Sequence, residues 1–478
     1  MTKSDPERFD QHLAGQIFGP GEMQENLEIL CDDMGSRFAG TAEEAEAARF
    51  LEAKLQTYGL TCVHSEPFDY NGWERGVARL TVTEPWQRDL FCWSLPMSPP
   101  GRVQGRVVDL GEGSPATIEA SQDQLAGNIA LVSIENPPDA ERWIHRTEKY
   151  NRSILAGANA FLFMGNEDGY GPITGTLGFN EWGLIPGIMV SKETGLLLRR
   201  VIRRHGAVTV TVETTDRLVR KTSWNIIGDV PGTTEDESMV VIGCHYDGHD
   251  ISQGAEDPIS GLVATLEVAR VLQLHSELLR RRVRFVLFGV EELGLIGAHA
   301  YVDHHPDDAA NTRFMFNLDA SGGLVRKGFI LHSPGTVDYF RSLDLAPKLL
   351  VDREVCPLRE PDHLSTDHYP FLLKGIPSGL IGDPYLRSWT GFYHTAHDTV
   401  DKVSLDNVQK AAYLCARLAW RIANEDDWPV LRPSADQLAR ERAVYDELEV
   451  RRIERAVAER RRQNTPGQGG EVKTTAGT

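Results

Sequence analysis

The chain has 478 residues, of which 41% are hydrophobic and 25% are charged, a composition typical of soluble globular proteins. Its length predicts two or three domains, each large enough to bury its own core. The formal net charge of −19 argues against nucleic acid or an anionic membrane surface as a partner.

Residues 1–78 are predicted to begin the larger, catalytic domain. The first residues lack the apolar core of a signal peptide, and no stretch of the chain approaches the length of a membrane span. We therefore expect a cytoplasmic location and no membrane partner. A helix is predicted from an N-cap at Thr41 to Gly59, and the stretch LTCVHSEPFDY that follows it is predicted to be extended.

Residues 79–220 differ from the rest of the chain in their pattern of predicted strands and helices. Short β-like runs such as GRVVDL and NIALVSI alternate with helix-like stretches, and the segment closes with a strand, helix, strand pattern. Histidine and acidic residues do not gather there. These residues are predicted to form a smaller, β-rich α+β domain inserted into the larger one.

Residues 221–426 alternate between buried strands and helices, which predicts an α/β fold with a mixed, mostly parallel sheet and helices on both faces. Residues 427–463 are predicted to form a charged C-terminal helix that starts at a capping box, SADQ. Residues 464–478 have little apolar content and are predicted to be a disordered tail. The C-terminal helix carries apolar pairs that could dock on the chain or form a homo-oligomer contact: Val444 with Leu448, and Ile453 with Val457.

Polar residues gather where strands of this α/β segment end. Each has an ordinary structural explanation when taken singly; Asp257 before Pro258, for example, is a common helix start. The carboxyl ends of parallel strands meet at one sheet edge, however, where ligands bind in such folds. The candidate residues are His245, Asp247, Asp257, Glu291, Glu292, Asp319, His394, His397 and Asp398.

This inventory predicts a metal site. The six cysteines are scattered without a CxxC pair, so any metal would be held by His, Asp and Glu. Two histidines and three carboxylates suit a pair of divalent ions, most simply zinc. Glu291 and Glu292 are adjacent and should point in opposite directions, so we expect one to face the metal and the other to act as a base toward water.

The motifs that carry these residues resemble those of the di-zinc aminopeptidase and glutamate carboxypeptidase family. They are CHYD, GAEDPISG, GVEELGLIGAHAY, FNLDASG, STDHYPFLLKGIP and YHTAHDT, in that order. The resemblance covers roughly residues 20–75 and 222–424. The segment 80–218 is similar to the protease-associated domain that many members of the family carry as an insertion.

The resemblance implies a ligand set for two zinc ions. Asp257 would bridge both ions, His245 and Asp319 would complete the shell of one ion, and Glu292 and His394 would complete the shell of the other. None of the five ligand positions is missing, which argues against a relative that has lost its metals.

The resemblance also implies roles for residues around the ligands. Glu291 matches the general base, and Asp247 matches the carboxylate that orients the first histidine, a role expected for any metal-bound imidazole. Asp398 would brace the site locally, whereas His397 falls on an unspecified position of the motif. Pro258 departs from the asparagine found in many members and donates no backbone N–H next to Asp257.

The function predicted from these residues is that of a zinc-dependent exopeptidase, most simply an aminopeptidase, with two zinc ions per chain. Its substrate would be a peptide or a related small amide, and a metal-bridging water activated by Glu291 would attack the carbonyl. Two loops, Ser365–Phe371 and Asp383–Trp389, are predicted to contact the substrate, with Asp367, His368 and Tyr385 as the candidate residues and Tyr385 as an oxyanion donor.

Other functions remain open at the level of sequence. A carboxypeptidase or a hydrolase of N-acyl amino acids or other amides could use the same fold and ligands. A glutaminyl-cyclase-like aminoacyl transferase would use one zinc. A binding protein without turnover could act through the inserted domain and the C-terminal helix.

Overall fold

The computed structural model describes residues 6–138, 140–323, 328–331, 339–340, 358–359, 366–382, 391–428, 432–444 and 447–464. These residues form two β-sheets of eight strands each, with helices packed against them. The mixed α/β fold class predicted from the sequence is confirmed. Among the described helices, none is long and apolar enough to cross a membrane.

The first sheet takes its strands from both sides of the predicted insertion. They are β1 (Thr61–Glu74), β10 (Arg217–Val230), β11 (Met239–His245), β12 (Arg282–Phe288), β13 (Thr312–Asn317), β14 (Gly328–Leu331), β15 (Leu358–Arg359) and β16 (Ser378–Gly382). Their spatial order is β1-β10-β12-β11-β13-β16-β14-β15. β11 is parallel to β12 and β13, and β13 is parallel to β16, so the carboxyl ends of these strands share one edge.

The second sheet is built from residues 78–214, close to the predicted bounds of the insertion. Its strands are β2 (Ala78–Glu84), β3 (Arg88–Leu90), β4 (Trp93–Ser94), β5 (Gly101–Asp109), β6 (Ile129–Ser133), β7 (Ala160–Met164), β8 (Gly187–Val190) and β9 (Thr209–Thr214). Their order is β3-β2-β9-β5-β6-β7-β8-β4, with β5 to β8 parallel and the outer pairs antiparallel.

Fourteen α-helices are described: α1 (Pro6–Ile17), α2 (Met23–Glu28), α3 (Ala42–Thr57), α4 (Pro115–Ala120), α5 (Gln122–Leu125), α6 (Arg146–Leu155), α7 (Lys192–His205), α8 (Gly261–Gln273), α9 (Ile296–His304), α10 (Pro306–Asn311), α11 (His368–Leu373), α12 (Leu405–Asn424), α13 (Ala435–Val444) and α14 (Glu447–Asn464). The predicted N-cap of α3 is confirmed, because Thr41 Oγ1 accepts a hydrogen bond from the Glu44 N–H at 3.2 Å. α8 and α12 pack on each other and on β11, and most of their residues are apolar and buried. They fix one face of the sheet beside its carboxyl edge.

A two-stranded ribbon joins the two sheets. β1 and β10 pair antiparallel along their length, so the chain enters and leaves the second sheet side by side. Arg75, just beyond β1, donates a hydrogen bond to Asp250 Oδ1 at 2.7 Å, and Trp182 Nε1 donates to the Gly72 carbonyl at 2.9 Å. The connection between the two sheets is therefore tied to the loop that follows β11, and a loop of the second sheet is tied to β1.

The C-terminal helix α14 docks within the chain, on α6. Helix α6 belongs to the second unit, which is the part of the chain that contains the second sheet, residues 78–214. Ile453 and Val457, one of the two predicted apolar pairs, are only 3% and 5% exposed. Docking is thus one use of this pair, and the homo-oligomer contact stays a prediction. The other predicted features lie outside the described side chains, namely Val444, Leu448 and the tail residues 465–478.

Candidate metal centre

The carboxyl edge of the first sheet carries most of the site. β11 ends at His245, β12 ends shortly before Glu291, and β13 ends shortly before Asp319. Asp257 lies in the π-helical turn Ala255–Ser260 that precedes α8, and His394 lies in the loop between β16 and α12. Segments far apart in sequence thus converge at the edge where the sequence placed them.

Two groups of potential metal donors lie at this edge. The first is His245, Glu291 and Asp319, and the second is His249, Glu292 and His394; within each group one donor atom per residue lies within 4.8 Å of the others. The two adjacent glutamates fall in different groups, as expected for neighbouring side chains that point in opposite directions.

The distances inside the groups are those of donors that face a common point. In the first group His245 Nε2 is 3.5 Å from Asp319 Oδ1. In the second, Glu292 Oε2 is 3.5 Å from His394 Nε2 and 2.8 Å from His249 Nε2.

Asp257 lies between the two groups. Its Oδ1 is 3.3 Å from His245 Nε2, and its Oδ2 is 3.2 Å from His394 Nε2. One carboxylate therefore presents an oxygen to each group, which is the placement that a ligand shared by two ions requires. The peptide bond from Asp257 to Pro258 is cis.

The donors suit zinc for two reasons: they are nitrogen and oxygen ligands, and several of their buried atoms have no hydrogen-bond partner. His245 Nε2, Asp319 Oδ1 and Glu292 Oε1 are buried and have no hydrogen-bond partner in the described part of the chain. A buried polar atom left unpaired costs about 1–3 kcal/mol, which a cation at the centre of each group would offset. Nitrogen and oxygen ligands about 3.3 Å apart suit a tetrahedral ion with bonds of about 2.0–2.1 Å.

Burial and crowding of carboxylates shift the pKa values of the site. Burial raises the pKa of Glu292 to about 8, and it raises the pKa of Glu291 well above its ordinary range. Burial and the neighbouring Asp257 charge also raise the pKa of Asp319. The pKa of Asp257 is lowered, because contacts with His245 and His394 outweigh its burial. The site therefore holds more acid groups than can ionise together without a cation.

Asp247 positions the glutamate pair. Its two carboxylate oxygens accept hydrogen bonds from the Glu291 N–H at 2.9 Å and the Glu292 N–H at 3.2 Å. The backbone carbonyl of Asp247, rather than its carboxylate, lies within 3.0 Å of His245 Nδ1. Because a carbonyl can only accept, Nδ1 carries the proton and the lone pair of Nε2 faces Asp257 and Asp319. The side chain of Asp247 is 3.6 Å from that ring, so its main contact is with the glutamate loop.

Asp398 braces the turn that carries Asp257. Its carboxylate accepts hydrogen bonds from the Glu256 N–H at 2.8 Å and the Asp257 N–H at 3.1 Å. Burial raises the pKa of Asp398 to about 8. His397, in the same motif, is exposed and stands edge-on to the Tyr170 ring with 5.5 Å between centroids. The loop thus turns His394 inward and leaves His397 outside both donor groups.

The candidate substrate residues have different surroundings. Asp367 is fully buried, and burial raises its pKa well above the ordinary range, with His245 and Asp319 among the charges that act on it. His368 is also buried, and its Nδ1 contacts Thr366 Oγ1. Tyr385 lies outside the described residues. Substrate contact by these three residues stays a prediction.

Loops of the second unit form hydrogen bonds with the loops that carry His394 and the glutamate pair. The Thr174 N–H donates to the His394 carbonyl at 2.8 Å, and the Asn180 N–H donates to the Leu293 carbonyl at 2.9 Å. Arg146, at the start of α6, donates to the carbonyls of Thr176 at 2.8 Å and Thr174 at 3.3 Å. Segments of the second unit therefore hold both loops, a connection that no local sequence pattern predicts.

His249 is the donor-group residue that the sequence analysis does not include. It follows β11 closely in HYDGHD, but only His245 and Asp247 of that motif are among the residues predicted from the sequence. The available signal was a second histidine just beyond a strand end that already carries a candidate ligand.

A fold of this kind with clustered His, Asp and Glu donors at the sheet edge defines a metallohydrolase of the α/β class. Comparison with known families narrows the class. Residues 225–419 match the model of peptidase family M28. The resemblance stated from the sequence is confirmed by this match to peptidase family M28, and the protein is a metallopeptidase.

Individual relatives match over most of their length. Aminopeptidase YwaD of Bacillus subtilis (strain 168) is 29% identical over 412 residues, which cover 84% of each chain. Carboxypeptidase Q of Mus musculus is 24% identical over 422 residues, which cover 84% of this chain and 86% of the relative. The solved structure of BSAP, a zinc aminopeptidase from Bacillus subtilis, has a TM-score of 0.66 and 27% identity over 84% of this chain and 94% of its own.

Proposed function

We propose that this protein is an aminopeptidase that holds two zinc ions and removes the N-terminal residue of a peptide or cleaves a related small amide. The observation that carries the proposal is the position of Asp257, with one oxygen beside each donor group. The similarity to proteins named aminopeptidase YwaD and zinc aminopeptidase BSAP supports zinc as the metal and an aminopeptidase as the activity.

In this proposal each ion has its own residues. His245 and Asp319 would hold the first ion, Glu292 and His394 would hold the second, and Asp257 would be shared by both. The zinc ions would supply Lewis acidity toward the scissile carbonyl and would lower the pKa of water at the site. Asp247 and Asp398 hold the loops of these ligands through backbone N–H groups.

Glu291 transfers the proton. It is half-buried, whereas Glu292 is buried, so Glu291 is the member of the pair that a substrate can approach. As a carboxylate beside the donor groups, Glu291 would take a proton from the attacking water and give it to the leaving amine nitrogen. The proton balance is then closed within one turnover, because Glu291 ends as the carboxylate with which it began.

Product analysis on one pentapeptide tests the proposal. Zinc-loaded protein is incubated with the unblocked peptide and with its N-acetylated form, and the products are identified by mass spectrometry. We expect stepwise release of the N-terminal residue from the unblocked peptide alone. Release of the C-terminal residue from both peptides would instead make the protein a carboxypeptidase, and release of acetate would make it an amide hydrolase. The Glu291→Gln variant controls for a contaminating peptidase.

A further inference from the structure

His249 is a buried histidine whose ring has no assigned role. It is 2% exposed, and neither ring nitrogen makes a hydrogen bond within the described part of the chain. Buried imidazoles normally satisfy at least one nitrogen, because an unpaired buried polar atom is destabilising. Nδ1 of His249 thus has no partner in this part of the chain, and the only acceptor close to Nε2 there is the carboxylate of Glu292.

The ring is directed at the second donor group. His249 Nε2 is 2.8 Å from Glu292 Oε2, and its ring stands edge-on to that of His394, with 4.2 Å between centroids and 79° between planes. One donor atom of each of these three residues lies within 4.8 Å of the other two. Two imidazoles and one carboxylate at this spacing are a common ligand set for zinc.

The loop that carries His249 is fixed on both sides. The Gly248 N–H donates to the Arg37 carbonyl at 3.3 Å, and the Arg37 guanidinium donates to the Gln253 carbonyl at 2.7 Å. Asp250, the next residue after His249, is held by Arg75 at 2.7 Å. The position of the ring is thus set by the surrounding chain.

We propose that His249 is a third terminal ligand of the ion held by Glu292 and His394. The inference deepens the proposed function and rests on it for the presence of two ions. With the shared Asp257, the second ion then has four protein ligands, whereas the first has three: His245, Asp319 and Asp257. Zinc sites with four protein ligands are closed, and sites with three keep a position open. The second ion is then held more tightly, and the first is the ion that meets the substrate.

Two variants separate a ligand from a mere hydrogen-bond donor. In His249→Gln the side-chain amide can still donate to Glu292 but is a poor zinc ligand, and in His249→Ala both functions are lost. The control is His397→Ala, which removes an exposed histidine outside both donor groups. Zinc affinities of the full chain are measured by competition with a chromophoric chelator, and the absorption spectrum is recorded after substitution with Co²⁺.

We expect wild type and His397→Ala to bind one zinc tightly and one more weakly. Both His249 variants should weaken the tighter ion by more than the roughly 10- to 100-fold that loss of an outer hydrogen-bond partner costs, and should change the Co²⁺ spectrum. Equal melting temperatures of the metal-free proteins would show that each variant folds.

A wild-type affinity and spectrum in His249→Gln would overturn the inference, because a hydrogen bond to Glu292 would then account for the position of His249. The outcome is independent of turnover. If the wild-type chain binds two zinc ions but cleaves no peptide, the proposed function fails while the binding data still decide the role of His249.

Discussion

Glu291 and Glu292 are neighbours in the chain but lie in different donor groups. Glu292 is buried beside His394 and His249, whereas Glu291 is half-buried beside His245 and Asp319. Asp247 holds the backbone N–H groups of both, so the pair is fixed at one point while the side chains diverge. In the proposed function, this single loop would supply a ligand for one ion and a base for the water.

Changing each glutamate to the isosteric amide should therefore impair a different property, catalysis in one variant and zinc binding in the other. Glu291→Gln should retain two zinc ions and lose about 10²- to 10⁴-fold in kcat with little change in KM, because only the proton acceptor is lost. Glu292→Gln replaces an anionic ligand with a neutral one, so it should bind the second ion weakly and require added zinc for activity. Zinc per chain and kcat are measured for both variants. Loss of metal from Glu291→Gln, or two tightly held ions in Glu292→Gln, would contradict this division of roles.

The two histidines of the YHTAHDT motif should also differ. His394 Nε2 faces both Asp257 and Glu292, whereas His397 is exposed beside Tyr170. We expect His394→Ala to bind one zinc equivalent fewer and to lose nearly all activity, and His397→Ala to behave as wild type. Metal analysis after gel filtration gives the zinc content. The reverse order of effects would show that the loop presents its other histidine to the metal.

At the scale of elements, the site depends on segments that carry no ligand. The Thr174 N–H holds the carbonyl of His394, and the Arg146 guanidinium holds the carbonyls of Thr174 and Thr176. Arg146 is buried, which lowers its pKa to about 10, and it remains charged at neutral pH. The start of α6 in the second unit is thus connected through one loop to a candidate ligand in the first.

This connection predicts an effect of Arg146 on stability and on metal binding. Arg146→Met leaves two buried carbonyls unpaired at about 1–3 kcal/mol each, so the free energy of unfolding should fall by at least about 2 kcal/mol. Zinc affinity of the second ion should fall as well, because the His394 loop loses its support. Urea denaturation of the metal-free protein and chelator competition measure the two effects. Arg200→Met, at an exposed position on α7, is the control and should change neither.

At the scale of the whole molecule, the sequence predicted what local pattern determines. Buried strands such as β11 and β12 are continuous apolar runs, and residues that follow them, such as His245 and Glu291, must lie at one edge of a parallel sheet. The N-cap at Thr41 is equally local. These features need only periodicity and the rules of strand order.

The contacts that the sequence did not predict are those made between distant segments. The inward turn of His249 depends on Arg37 and Arg75, which hold its loop from other parts of the chain. The support of His394 by Thr174 depends on how the second sheet is placed against the first. Such contacts follow from tertiary docking, and a loop residue carries no periodic signal of its partners.

Two truncations of the C-terminal region, one after Asn464 and one after Val444, should affect stability differently. A chain that ends at Asn464 removes only residues with little apolar content, so its melting temperature and turnover should equal those of the full chain. A chain that ends at Val444 also removes α14, which packs on α6 and in which Ile453 and Val457 are buried. Burial of two such side chains contributes roughly 3 kcal/mol or more, so this chain should melt at a lower temperature. Calorimetry and gel filtration compare the three chains. A lower melting temperature for the chain ending at Asn464 would show that the tail docks, and an unchanged one for the chain ending at Val444 would show that the contact of α14 with α6 adds no stability.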